Sequence, residues 1–189
     1  MHPRDRFWRV VVPIGVTCVV GTMLVVGWAA QPQRFVLGYA PTQPIPFSHK
    51  VHAGANRIPC EYCHTNPERS RDAGVPAVQT CMNCHRAITM ADSNYIKQDV
   101  IARLASDTAL AWKRIYDLPD HVYFDHRAHV NVGLQCQVCH GEVQTMDVVS
   151  RVMNTRMGEC LLCHRNPRPY LPPGSKVTQG PTECTACHR

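Results

Sequence analysis

Aromatic side chains are scarce in this 189-residue chain: four Phe, three Trp and six Tyr make up 7% of it. Long apolar periodic runs are also scarce once the N-terminal segment is set aside. A polypeptide core of the usual size for one domain is therefore excluded, and something else has to fill the interior. Blocks of like charge are missing as well. The net charge of +6 comes from scattered Arg and Lys, with no run of five or six, so nothing points to nucleic-acid binding.

Cysteine and histidine are abundant instead, at 11 residues each. Ten of the cysteines fall into five copies of one pattern: Cys60-Glu-Tyr-Cys63-His64, Cys81-Met-Asn-Cys84-His85, Cys136-Gln-Val-Cys139-His140, Cys160-Leu-Leu-Cys163-His164 and Cys184-Thr-Ala-Cys187-His188. Paired zinc knuckles do not need His at one fixed offset five times, and five pairs would leave one without a partner. A disulfide framework has no use for the histidines. C-x-x-C-H is the attachment signature of c-type haem: two thiols form thioethers with the porphyrin and the next imidazole ligates the iron. The expectation is five haem c groups. That leaves fewer than about thirty residues for each, so the porphyrins themselves must serve as the hydrophobic core. Their propionates, about two per haem, offset much of the positive charge.

Val10 to Ala30 runs 21 residues without a charge, behind a flank (1–9) carrying Arg4, Arg6 and Arg9 against Asp5. As a helix it is about 31 Å long, enough to cross a bilayer once. The positive flank then stays in the cytoplasm and the rest lies on the periplasmic side of the inner membrane. A cleaved signal peptide, ending at the small-x-small site Gly27-Trp28-Ala29, is the competing reading; the length of the run favours an uncleaved anchor. Cys18, inside the run and without a lipobox, reads as a small apolar residue. Residues 31–46, with Pro32, Pro41, Pro44 and Pro46, read as an extended tether that is not helical throughout.

A haem iron that only carries electrons needs a second axial ligand. Phe47-Ser-His49-Lys-Val-His52 lies just before the first motif and Phe124-Asp-His126-Arg-Ala-His129 just before the third. This internal repeat defines a two-haem module (47–92) and a three-haem module (121–189), separated by a spacer (93–120). The histidines of each pair cannot serve one iron, whose other face is already taken, so each pair should reach two haems and hold them close. In the spacer, Ile96, Val100, Ile101, Leu104, Leu110, Trp112 and Ile115 predict one or two short amphipathic helices, capped by Ser106 or Asp107. The Pro-rich 166–174 reads as a loop.

The arrangement resembles the class III multihaem cytochromes. That resemblance implies that His49 serves the haem of His64, His126 that of His140, His52 that of His85, and His129 that of His164. One haem is left over, with two candidates for its distal ligand. His121 makes the spare histidines equal the haems in number, whereas Met157 lies just before the fourth motif. The anchor, the tether Gln43-Pro-Ile-Pro-Phe-Ser-His and the stretch Leu118-Pro-Asp-His-Val-Tyr-Phe-Asp-His look like the pentahaem membrane-anchored cytochrome subunits of alternative complex III, a quinol-oxidising assembly. What the resemblance implies is an electron-transfer subunit. It would take electrons from an iron–sulfur subunit or from polytopic quinol-binding subunits, and pass them to a mono-haem cytochrome or periplasmic carrier. The anchored quinol dehydrogenases of nitrite reduction are similar but carry a Met two residues after a motif His. Here that offset holds Asn66, Ala87, Glu142 and Asn166. A soluble pentahaem donor to nitrite reductase would need the N-terminal segment removed. A multihaem enzyme needs an open haem face, and five spare histidines for five motifs argue against one. The fold expected is therefore short helices and loops wrapped around haems, plus one transmembrane helix.

Overall fold

A computed structural model describes residues 2–30, 36–87, 100, 102–106 and 108–188. Among the described residues the structure is one long N-terminal helix followed by short helices and loops, with no strand apart from one isolated antiparallel bridge between Val122 and His188.

The N-terminal helix begins earlier than the charge-free run. Pro3–Arg6 is α-helical and passes through a wide π-helical stretch, Phe7–Val11, into the α-helix Val12–Ala29. Pro13 sits in the first turn of that last piece, where a missing N–H costs least. Thr17 and Thr22 turn their hydroxyls back onto the carbonyls of Pro13 and Cys18, so neither polar group needs water. None of its residues is buried. A helix that is apolar all round and covered by nothing in its own chain suits lipid or other apolar helices.

Among the described residues, the rest carries a very small polypeptide core. Ile45, Val78, Val100 and Leu104 are its buried apolar side chains, backed by Phe47, Cys81, Met82, Leu110 and Trp112. The core therefore joins the tether, the helix of the second motif (Val78–His85) and the spacer. The described part of the tether, residues 36–46, is stitched down. Gln43 exchanges two hydrogen bonds with the Lys113 backbone, Pro44 O accepts from Arg103, and Gly38 and Tyr39 pair with the backbone of Arg151. In the spacer, residue 100 and residues 102–105 are helical, but 108–119 contain no helix. Leu110 and Trp112 lie against the small core, so burial on an irregular segment explains apolar spacing that resembled a second helix. Ser106 closes the helix from its C-terminal side, its hydroxyl bonding Arg103 O, instead of capping a start. Ile96, Ile101 and Asp107 lie outside the described residues.

The stretches expected to form two modules cross each other. Residues 143–147, just after the third motif, pack on the turn that carries His49 and His52, where Lys50 N donates to Met146 O at 2.9 Å and Ser48 Oγ to Asp147 at 2.7 Å. Residues 68–71, just after the first motif, pack on the helix that carries His126 and His129. There His126 N and Arg127 N donate to Arg71 O and Ser70 O, and Asn131 Nδ2 to Glu68 O. Residues 166–174, read from the sequence as a loop, contain a short 3-10 turn at Arg168–Tyr170, and Pro172 lies close over Gly133.

Candidate haem sites

Each motif sits on a helical turn or short helix: Cys60–Cys63, Val78–His85, Gln137–His140, Met157–Arg165 and Cys184–Cys187. Positions i, i+3 and i+4 share a helix face, so both thiols and the imidazole of a motif point to one side. The backbone reinforces this: His64, His140 and His188 donate their N–H to the carbonyl of the first cysteine of their motif, at 2.9–3.0 Å.

The upstream histidines ride on two short turns. His49 precedes the π-helical turn Lys50–Ala55, and His126 opens the α-helix His126–Val130. A Phe wedges each pair open. Phe47 meets His49 edge-on at 4.8 Å and stacks on His52 at 4.3 Å; Phe124 meets His126 edge-on at 4.9 Å and stacks on His129 at 4.5 Å.

Across the structure these rings face motif histidines. Ring centroids are 6.1 Å apart for His52 and His85, 6.3 Å for His126 and His140, 6.0 Å for His129 and His164, and 5.6 Å for His121 and His188. His49 lies close enough to His64 for the second ring to disfavour charge on the first. An imidazole nitrogen binds a first-row metal at about 2 Å, and its ring centre lies about 1 Å further back, so two imidazoles on one ion have centres about 6 Å apart. Met157, the other candidate for the fifth distal position, is 59% exposed.

The protonation of the rings suits ligation. Nδ1 of His52, His64, His126, His129, His164 and His188 lies 2.5–3.3 Å from the backbone carbonyls of Ser48, Gly74, Arg71, Asp125, Pro181 and His121. A carbonyl only accepts, so Nδ1 carries a proton and Nε2 is the nitrogen that would face a metal. His49 and His85 have a buried Nδ1 without a protein partner. Burial, then the neighbouring His64 and His52, lowers His49 to about 4; burial, then His126 and His64, lowers His140 to about 4. Burial likewise lowers His129, against the opposing pull of the Asp125 carbonyl. All three are neutral at pH 7, the ligating form.

The unmodified thiols report how the motifs are arranged. Burial raises Cys136 to about 11, helped by Cys60 and Glu61; burial raises Cys63, helped by Cys81 and Cys84. Burial raises Cys139, helped by Cys163 and Cys160, and Cys160, helped by Cys187. The second motif therefore neighbours the first, the first the third, the third the fourth, and the fourth the fifth. Thiols and imidazole on one face, Nδ1 protonated, and ring pairs about 6 Å apart fit haem c.

Sequence reasoning missed Tyr116, which meets the His140 ring edge-on, and Arg151, which is buried beside it. A lone Tyr in a spacer and a lone Arg in a loop carry no pattern to read.

Comparison with known proteins agrees with this geometry. Residues 29–109 match the class III cytochrome c family, and residues 122–189 match cytochrome c7 and related cytochromes c. The fold class is that of a multihaem cytochrome c, a haem-carrying electron-transport protein. One relative is the menaquinone reductase, multihaem cytochrome c subunit, of Nitratidesulfovibrio vulgaris. It is 29% identical over 186 residues, covering 88% of this chain and 85% of its own length.

Proposed function

We propose that this chain is a membrane-anchored relay of five haem c groups within a complex that exchanges electrons with the quinone pool. The observation that carries it is the set of facing imidazoles. His52–His85, His126–His140, His129–His164 and His121–His188 have the separation two axial ligands on one iron require, and His49 lies beside His64. In this reading Cys60, Cys63, Cys81, Cys84, Cys136, Cys139, Cys160, Cys163, Cys184 and Cys187 carry the thioethers. His64, His85, His140, His164 and His188 are the proximal ligands, and His49, His52, His121, His126 and His129 the distal ones. The ring geometry and the exposure of Met157 support His121 as the fifth distal ligand.

When bound, haem c supplies an iron that takes up and releases one electron. The facing imidazoles would hold the iron from both sides, leaving no place for substrate. The chain's residues also set the order of the motifs in space. The relay runs second, first, third, fourth, fifth, with its ends at His85 and His188. The N-terminal helix is the anchor, with its Arg-bearing flank inside and the haem region on the periplasmic side. The test is the mass of the denatured holoprotein. Polypeptide plus five haems is expected, and four or fewer overturns the count.

Direction of flow divides two readings. Resemblance to alternative complex III supports quinol oxidation, with iron–sulfur and polytopic membrane subunits on the donor side and a periplasmic cytochrome beyond. The relative's name supports the opposite direction, into menaquinone. The complex purified from solubilised membranes decides. Oxidation of a menaquinol analogue by oxidised periplasmic cytochrome supports the first reading; reduction of a menaquinone analogue by reduced cytochrome supports the second.

A further inference from the structure

The spacer does more than separate two modules. Tyr116 lies 4.8 Å from the His140 ring, centre to centre, at an interplanar angle of 76°. Its hydroxyl donates to Cys139 O at 3.1 Å and accepts from Val152 N at 3.0 Å and Met153 N at 3.3 Å. Behind it the Arg151 guanidinium stands 5.6 Å from the ring centre, only 1% exposed and hydrogen-bonded to Met153 O and Thr155. Both sides of the phenol are thus fixed by backbone or buried side chains.

The consequence falls on the rotation of one imidazole. A metal-bound imidazole turns easily about the metal–nitrogen axis unless something holds its plane. His126 is held by Nδ1–H to Arg71 O at 2.6 Å, and for His140 the contact is the edge of Tyr116. The two planes are 8° apart, against 55° for His52–His85, 34° for His129–His164 and 21° for His121–His188. The angle between axial imidazole planes sets the splitting of the iron d orbitals. It therefore sets the anisotropy of the ferric EPR signal and contributes to the potential.

We propose that Tyr116, braced by Arg151, is a positioning residue that holds His140 parallel to His126 and so sets the electronic character of the central haem. This rests on the reading that those two histidines share an iron. In the holoprotein, Tyr116→Leu should keep five covalent haems and the low-spin state. One rhombic ferric EPR signal should move toward the strongly anisotropic type, with a shift in one midpoint potential. Tyr116→Phe keeps the ring and loses the hydroxyl, so the same signal should move less. No change of EPR signals or potentials in Tyr116→Leu overturns the proposal. If that variant fails to assemble, an unmoved signal in Tyr116→Phe overturns it. His126→Ala separates the two ideas. It should erase the signal that the Tyr116 variants move. Erasure of a different signal defeats the role of Tyr116 alone, whereas five low-spin haems in His126→Ala defeat the shared-iron reading.

Discussion

The turns that carry His49 and His52 and that carry His126 and His129 do the same job with different backbones. The first is a π-helical turn and the second an α-helix. Yet Phe47 and Phe124 sit at matching distances and angles, and His52 and His129 each bond the carbonyl four residues back at 2.8 Å. Where the imidazoles must point is common to both; the helix type is not. π-turns occur often at functional sites because one extra residue per turn re-aims a side chain. The residue two past the second His shows the local reason. In the first module it is Gly54, pressed against the Gln144 carbonyl, and in the second Asn131, which donates to Glu68 O at 3.2 Å. Each turn is shaped by the segment of the other module that crosses it.

The largest effect tests whether either turn exists without haem. With only four buried apolar side chains among the described residues of the cytochrome region, the polypeptide cannot offset the entropy of ordering itself. Chain produced without haem attachment should show by far-UV circular dichroism little helix beyond the N-terminal segment. It should be digested rapidly beyond residue 30, in both modules alike.

Next comes the proposed fifth haem, whose motif has no counterpart in the first module. His121→Ala should turn one haem of five high-spin, read from the ferric absorption spectrum, while Met157→Leu leaves all five low-spin. The opposite outcome gives the site to Met157.

A smaller effect separates the turns themselves. Gly54→Ala should destabilise the protein by about 1–3 kcal/mol in denaturant titration, since a Cβ there meets backbone that cannot swing away. Asn131→Ala loses one exposed hydrogen bond and should cost at most about 1 kcal/mol. Equal losses would mean that the crossing segments do not shape the turns.

The smallest effects lie at the caps. Asp125 accepts from Arg127 N at 2.9 Å and Ser48 Oγ from Val51 N at 3.2 Å, so either Ala variant should cost about 1 kcal/mol. Only Ser48 also touches Asp147, whose carboxyl its hydroxyl holds below the usual value, with Lys50 adding to the effect. A depressed folded pKa stabilises above the unfolded value and is lost as pH falls through the folded one. Acid unfolding of Ser48→Ala should therefore depend less on pH below about 4 than that of Asp125→Ala.

Much of this was legible in sequence, because covalent chemistry spaces residues rigidly. C-x-x-C-H fixed the cofactor class, and the repeated Phe-x-His-x-x-His pointed to paired ligands. The uncharged run gave the apolar helix, though not its start, since Pro3–Val11 is helical despite three arginines. The crossing of the modules was not legible. Contacts such as Arg71 O with His126 and Gly54 with Gln144 join residues far apart in the chain and use backbone atoms, which leave no residue pattern. The irregular half of the spacer misled for a related reason: Leu110 and Trp112 are apolar because they cover Ile45 and its neighbours, not because they share a helix face.

The central claim, that every iron lies between a motif histidine and one of His49, His52, His121, His126 and His129, is met most directly by near-infrared magnetic circular dichroism of the fully oxidised, detergent-solubilised holoprotein. The ligand-to-metal band reports axial ligands by its wavelength. The account predicts a single bis-histidine band with an intensity of five haems per chain. A histidine–methionine band, or a high-spin component, would contradict it.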